Sequence, residues 1–289
     1  MLMKFSQKHL LQIHFAVLLF GGAGLFVKFI ALSPLFITFA RVFFAAISLF
    51  IVLFIQKKPY QSKSIINYFR LLLPGFLLAF HWYCFFKSIS LSTVAIGLLT
   101  YSTFPVFVIF LEPLFFREKL HLSSLFFAFM ALLGIFLIVP EFDLHNNTTQ
   151  AVIYGLLSGL SFAFLSIFNR KLVQDFAAIE IAFFQNLAAF ICLMPVAILS
   201  LPIITGKDIL LLALLGIIFT GLAHSLFISG MQKIKARTAG IIATLEPVYG
   251  IVLAFFLLNE VPTLRVISGG ILILAVVIII SYLYYRKSD

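Results

Sequence analysis

The sequence is poor in charge. Asp, Glu, Lys and Arg make up 10% of its 289 residues, where a soluble domain carries about 25%. With 63% apolar residues, that shortage excludes both an ordinary soluble globular protein and a disordered chain. Cysteine is scarce as well. Cys84 and Cys192 are the two present, too few for a disulfide scaffold. Both fall inside apolar stretches, where the expected role is that of a small buried apolar residue. The ten acidic residues are scattered, and no HExxH, GxSxG or GxxxxGK pattern occurs. An enzyme built on a metal, a nucleophile elbow or a phosphate cradle therefore lacks its motif. The expectation is a protein that is not an enzyme, holds no cofactor or metal and is not driven directly by ATP.

What is present is apolar sequence in long runs, with a mean hydropathy of +1.18. A membrane helix takes about 20 residues, so the length accommodates on the order of ten. The runs cover residues 10–30, 34–55, 69–89, 93–115, 122–139, 151–168, 179–201, 208–231, 237–258 and 263–285. None alternates polar and apolar residues as a barrel strand does, so they read as helices. The fold class expected is an all-α integral membrane protein of ten transmembrane helices in a lipid bilayer. The first run follows Lys4, Lys8 and His9 as a signal peptide would. It is longer than a signal h-region and meets another span at once, so it reads as a retained helix.

Net charge is +10. In a soluble protein that excess would suggest a nucleic-acid partner; here it sits in short loops between spans and sets orientation instead. With the N-terminus in the cytoplasm, inner segments collect Lys4, Lys8, Lys57, Lys58, Lys63, Arg70, Arg117, Lys119, Arg170, Lys171, Lys233, Lys235, Arg237, Arg286 and Lys287, 15 of the 20 basic residues. Lys87, Lys207 and Arg265 fall outside, and residues 141–150 carry Glu141 and Asp143 without Lys or Arg. Both termini are expected in the cytoplasm.

The chain also compares with itself. Residues 85–120 and 227–262 align without gaps so that Pro105 meets Pro247, Glu118 meets Glu260 and Phe85 meets Phe227, each pair 142 residues apart. A proline inside a span, followed by a glutamate at its end, recurs at one offset. The halves are therefore read as five-helix repeats, residues 1–144 and 145–289. Five is odd, so the second copy lies inverted, which agrees with one basic residue, Lys87, after the third span and three, Lys233, Lys235 and Arg237, after the eighth. Inverted repeats are a device of secondary transporters, with the substrate near the midplane where the halves meet.

The segments LLFGGAGLFVKFIALSP and FARVFFAAISL, and the two fourth-span motifs ending in Glu118 and Glu260, resemble the drug/metabolite transporter superfamily, EamA type. The resemblance covers nearly the whole chain. It implies ten helices in the inner membrane and alternating-access transport of a small metabolite, often export of amino acids or amphipathic toxins. Phe20-Gly21-Gly22 stands where a Trp-Gly pair is common in that family.

Ionisable residues inside a span cost roughly 2.5–3.5 kcal/mol on insertion scales, so each needs a reason. Glu246 precedes Pro247, with Tyr249 and Gly250 on its helical face. It reads as a proton- or cation-binding group or as a structural carboxylate. His81, followed by Trp82, and His224 hold nearly equivalent repeat positions; they read as cavity groups or as neutral histidines bonded across an interface. Tyr101, Pro105, Val108 and Glu112 share one helical stripe, with Glu112 close to a bundle end and expected at the headgroups. Arg41 lies deeper than Lys28 and needs a carbonyl or carboxylate partner, while Lys28 snorkels outward. Asn169, Arg170 and Lys171 are expected to cap the sixth span; Gln185 and Asn186 are polar at depth. Gly155 and Gly159 form a packing motif. The 37 phenylalanines are assigned to lipid contact and packing.

The substrate-binding set is accordingly His81, Trp82, Tyr101, His224, Glu246 and Tyr249, from the third, fourth, eighth and ninth spans. The substrate expected is an amino acid or related zwitterion, exported, with protons as the candidate coupling ion. A nucleotide-derived metabolite is the alternative substrate; a membrane-embedded enzyme or a lipid-handling scaffold is the alternative function. Monomer and homodimer are both compatible with the sequence. The orientation is testable. In a background lacking Cys84 and Cys192, cysteines introduced at residues 141–150 label with an impermeant maleimide from outside, and those at 61–64 only from inside. The reverse pattern contradicts the loop-charge argument and the inversion with it.

Overall fold

The computed structural model describes residues 2–56, 65–116, 122–139, 143–232, 239 and 242–286. Of the residues that carry the orientation and repeat arguments, Lys57, Lys58, Lys63, Arg117, Glu118, Lys119, Glu141, Lys233, Lys235, Arg237 and Lys287 lie outside the described residues. All regular elements among the described residues are helical. They are α1 (Leu2–Ala23), a single turn α2 (Phe26–Phe29), α3 (Pro34–Gln56), α4 (Ile65–Leu91), α5 (Val94–Tyr101), α6 (Phe104–Phe116) and α7 (Leu122–Ile138). The second half supplies α8 (Asn147–Leu172), α9 (Ala178–Leu199), α10 (Gly206–Gly216), a π-helical segment (Ile217–Leu222), α11 (Ala223–Gly230), α12 (Leu245–Leu258) and α13 (Leu264–Arg286).

Seven stretches among the described residues are long and apolar enough to cross a membrane: Lys8–Phe29, Pro34–Gln56, Phe69–Leu91, Val94–Phe115, Asn147–Leu172, Ala178–Leu199 and Gly206–Gly230. Three shorter apolar helices, Leu125–Ile138, Leu245–Leu258 and Leu264–Ile279, join them. Large apolar side chains such as Phe54, Leu114, Leu199 and Leu264 stand on the outer surface. In water such a surface would aggregate; against lipid tails it costs nothing. Cys192 is on this outer face and Cys84 is buried, both as free thiols, so the expectation of burial holds for Cys84 alone.

Helices of the two halves interleave. The first-half helix α4 packs on α8 and α9 of the second half, α3 on α9 and the π segment, and α1 on α11 and α12. Glycines set several of these crossings, because without a hydrophobic driving force between helices close backbone approach is what binds them. A Cβ on Gly21 of α1 would stand 2.8 Å from the Glu246 carbonyl and 3.1 Å from the Gly250 nitrogen of α12. A Cβ on Gly75 of α4 would stand 2.6 Å from the Gln185 carbonyl of α9, and one on Gly216 of α10 2.6 Å from the Arg41 carbonyl of α3. On α8, Gly155 faces Thr100, and a Cβ on Gly159 would meet the Tyr101 carbonyl at 2.9 Å. That GxxxG pair is therefore the packing surface expected of it.

The fourth span, expected as one helix, is two. It breaks at Ser102–Thr103, between α5 and α6. Pro105 has no N–H to offer the Tyr101 carbonyl, and its ring crowds that carbonyl. The Ser102 and Thr103 hydroxyls turn back instead onto the Leu98 and Thr100 carbonyls, at 2.7 Å each. The break interrupts the stripe expected to run from Tyr101 to Glu112. The same 142-residue offset joins Ser102 to Thr244, where a turn immediately precedes α12 and Pro247. A third irregularity is the π segment, where the Thr220 hydroxyl donates to the Leu215 carbonyl at 2.7 Å. Such insertions widen one turn and redirect side chains, and they concentrate at functional sites.

The α1–α12 crossing is the fold's tightest test. Gly21→Val would drive a branched side chain into backbone, an overpacking cost of about 1–3 kcal/mol. We expect a lower Tm and less monodisperse protein in detergent for Gly21→Val. Gly206→Ala, at a position with open space around it, serves as the unchanged control. Equal stability of the two variants would refute the close crossing.

Candidate functional site

Arg41 is the one charged residue of α3 and is 0% exposed, so its charge must be met by protein. Its Nε donates to the Thr220 hydroxyl at 2.9 Å, and Nη2 makes a long 3.5 Å contact with the Phe219 carbonyl. Both partners belong to the π segment. The guanidinium lies over the Trp82 ring, 3.4 Å from its centroid, with Phe86 at 5.0 Å. A desolvated cation over an indole face gains up to about 2 kcal/mol or more. The partner Arg41 was expected to need is thus a hydroxyl and a carbonyl, helped by two rings, rather than a carboxylate.

His81 and Trp82 are neighbours on α4, both buried. The Nδ1 of His81 lies 3.0 Å from the Ser158 carbonyl and 2.9 Å from its hydroxyl. A carbonyl can only accept, so Nδ1 carries the proton. His224, on α11, is also buried, and neither ring nitrogen has a partner. Glu246 is 2% exposed in the first turn of α12, where the helix N-terminus favours a carboxylate, and its Oε2 has no partner. Arg41 lies close enough to act electrostatically on His81, His224 and Glu246, as His224 does on His81 and Glu246 on Tyr101. Arg41 and Glu246 nevertheless form no direct ion pair among those described.

Aromatic rings beside these groups form a closed circuit that includes His81. Phe20 of α1 meets Trp82 at 6.4 Å, Trp82 meets His81 at 4.6 Å and His81 meets Phe162 of α8 at 4.9 Å. Phe162 then meets Phe227 of α11 at 6.1 Å, and Phe227 returns to Phe20 at 5.7 Å. Tyr101, at the end of α5, joins at 5.4 Å from His81 and 5.5 Å from Phe162.

Five of the six residues singled out from sequence, His81, Trp82, Tyr101, His224 and Glu246, therefore converge. For Tyr249 no contact with these five is among those described. It is half-buried at the α1–α12 crossing, its Cβ turned to Gly21. Sequence reasoning missed the central place of Arg41, the contribution of Thr220 and the phenylalanines of the wall. Two further assignments are overturned. Glu112 does not face the headgroups; it is buried, with an oxygen 2.9 Å from Arg170 Nη1. Asn169 does not cap α8; it is buried and accepts from Gln185 Nε2 at 2.6 Å, while Arg170 and Lys171 lie, as expected, in the last turn of the helix, which ends at Leu172.

The two ends of the bundle differ. At one, Lys28 Nζ donates to the Ser92 carbonyl at 2.6 Å and lies 3.8 Å from Glu260, which also accepts from the Val94 N–H at 2.9 Å. The outward reach of Lys28 thus ends in an ion pair that ties three interhelical junctions together. At the other, Gln12, Gln56, Ser225, Ser229 and Gln232 line a cleft of about 340 Å³. Leu222 and Ser225 in its wall are close neighbours in sequence of Thr220 and His224.

A solved crystal structure superposes on the chain with a TM-score of 0.69 at 17% identity, covering 98% of this chain and 99% of the other. The chain is 26% identical to the uncharacterized transporter YxxF of Bacillus subtilis, over 90% of this chain and 85% of that protein. It is 28% identical to the riboflavin transporter ImpX of Fusobacterium nucleatum, over 62% of this chain and 63% of that protein. It is 23% identical to an S-adenosylmethionine uptake transporter of Rickettsia conorii, over 85% and 82%. The EamA-like transporter family matches at residues 7–139 and again at 149–282. With both halves matched over almost their full length, the chain belongs to the EamA-like transporter family and is a multi-pass membrane protein.

Proposed function

We propose that the protein is a secondary transporter of a small amphipathic metabolite, an amino acid or a related zwitterion, and not an enzyme. It works by alternating access in the inner membrane, with both termini in the cytoplasm. In this reading the seven long and three shorter apolar helices are ten spans. They form two inverted repeats, residues 1–144 and 145–289, which rock against each other. The observation that carries the reading is the position of the two helix breaks. Ser102–Thr103 and Thr244 recur at one offset, and beside them lie Tyr101, against His81, and Glu246, near Arg41. Discontinuous helices at a repeat interface are where transporters of this construction place their substrates.

The aromatic circuit takes the apolar part of the substrate, and Glu246 takes a cationic part or a proton. The close α1–α12, α4–α9 and α3–α10 crossings each join one repeat to the other, as a rocking interface requires. The names of two relatives bring a second reading of the substrate. S-adenosylmethionine joins an amino-acid zwitterion to a nucleoside, so a nucleoside-bearing amino acid would use the same charged groups and the same aromatic wall. Net direction follows the driving gradient in either case.

Coupling tests Glu246. In proteoliposomes with an imposed proton gradient, wild type accumulates substrate above equilibrium. Glu246→Gln equilibrates substrate without accumulation, and exchange in the absence of a gradient persists once substrate is raised to saturate the variant. Wild-type accumulation by the Gln variant removes Glu246 from coupling. Absence of flux for every compound in an amino acid, aromatic cation and nucleoside panel contradicts the transporter reading itself.

A further inference from the structure

The charged groups of the cluster carry more information than the reading above uses. Arg41 stays ionised in any protein environment and offers five N–H donors in a rigid fork. One donor, on Nε, is committed to Thr220, and Nη2 has a single long contact with the Phe219 carbonyl. Nη1 has no partner although the side chain is fully buried. The flat face is taken by Trp82 at 3.4 Å. Stacking and the Thr220 bond together fix the orientation of the fork and leave its terminal edge uncommitted. That edge is the one that receives a carboxylate in the paired geometry Arg favours.

If Arg41 served only to neutralise Glu246, the two would meet in a direct ion pair. They do not among the described contacts, and Glu246 Oε2 is itself without a partner. Each charge is held in place by its own anchors, Arg41 by the π segment and Trp82, Glu246 by the start of α12. Trp82 Nε1 and both nitrogens of His224 are also unpartnered and buried. Four side chains from α3, α4, α11 and α12, Arg41 and its neighbours Trp82, His224 and Glu246, thus present unsatisfied buried polar atoms. Buried polar atoms are almost always paired in a native protein, so unfilled ones gathered in one place mark the contact points of something that binds. His81 cannot supply the same contact with Nδ1, which is already committed to Ser158.

We infer that Arg41 is the receptor for an anionic group of the substrate and that Arg41 and Glu246 together select a zwitterion of the α-amino-acid type. The carboxylate pairs with the free edge of Arg41, the ammonium with Glu246, and the side chain lies against the rings of Trp82, Phe162 and Phe227. This rests on the cluster being the substrate site, and it adds what that site demands: both charges, on one molecule. Substrates with one charge or none leave a buried ion unpaired, a cost that a site built for polar contacts imposes steeply.

Binding to full-length protein in nanodiscs tests this. The probes are L-phenylalanine and L-methionine, each beside its methyl ester and its N-acetyl derivative, with riboflavin as an uncharged comparison. In wild type at least one amino acid binds, and its ester and its N-acetyl derivative each bind about tenfold more weakly or worse. In Arg41→Gln the amino acid falls to the affinity of its ester, while the ester itself is unchanged. In Glu246→Gln the corresponding equality holds for the N-acetyl derivative. These are ratios within one variant, so a general loss of folded protein does not imitate them. Thr220→Val keeps Arg41 but removes the hydroxyl that orients it, and should narrow the preference for acid over ester several-fold even if Arg41→Gln fails to fold.

Equal binding of amino acid and ester by wild type overturns the inference, as does failure of both amino acids to bind. Flux of riboflavin without binding of either amino acid overturns it and leaves the transporter standing. Charge-dependent binding without flux under any imposed gradient upholds the charge selection and overturns transport.

Discussion

A guanidinium cannot be left unmet in hydrocarbon, and much of this structure is arranged around that constraint. Arg41 is carried into the bundle by an apolar helix with no second charge at its depth. Its hydrogen-bond partners come from a widened turn in the other half of the chain, 179 residues away for Thr220 and 178 for Phe219. Its face is covered by Trp82 and Phe86 of α4. Meeting one charge therefore ties α3, α4 and the π segment together. It also fixes where α10 and α11 run, because Gly216 must let α10 approach the Arg41 carbonyl before the π turn can bring Thr220 to the side chain.

The two halves show how a site can be asymmetric inside a repeated frame. Both carry a proline just after a helix break, and His81 and His224 sit at nearly matching positions. At the same offset, however, Glu246 falls on Phe104. The first half contributes rings at its break, Tyr101 and Phe104, stacked 5.5 Å apart; the second contributes a carboxylate. The backbone architecture is shared, while the residue beside the break differs, a ring in the first half and a carboxylate in the second.

The helices and their repetition were legible because they depend on properties that are local in sequence. Hydropathy over some 20 residues locates a span, but it read the fourth span as one helix, and the break came to light only where the Ser102 and Thr103 hydroxyls turn back on the carbonyls before Pro105. Five residues that lie close together in the fold were picked out by asking why a polar or amphipathic side chain lies at membrane depth. Tyr249 was included on helical spacing from Glu246, and that spacing does not say which neighbours face inward; its Cβ lies at the α1 crossing beside Gly21. The role of Arg41 depends on Thr220 in a π turn, and nothing in IIFTGL marks an extra residue per turn. Glu112 looked peripheral because its partner, Arg170, lies 58 residues on. The wall residues Phe20, Phe162 and Phe227 were indistinguishable by composition from the lipid-facing phenylalanines that outnumber them.

Trp82 is the one tryptophan of the chain, and it lies against Arg41 in the enclosure, so its emission reports on the cluster alone. The most direct measurement is that emission during titration with a compound the protein carries in proteoliposomes. Substrate binding between Arg41 and Glu246 predicts a saturable change in intensity or wavelength, half-complete at the concentration that half-saturates transport. Emission that stays constant while a transported compound reaches saturation would contradict the account, because the substrate would then bind away from Trp82.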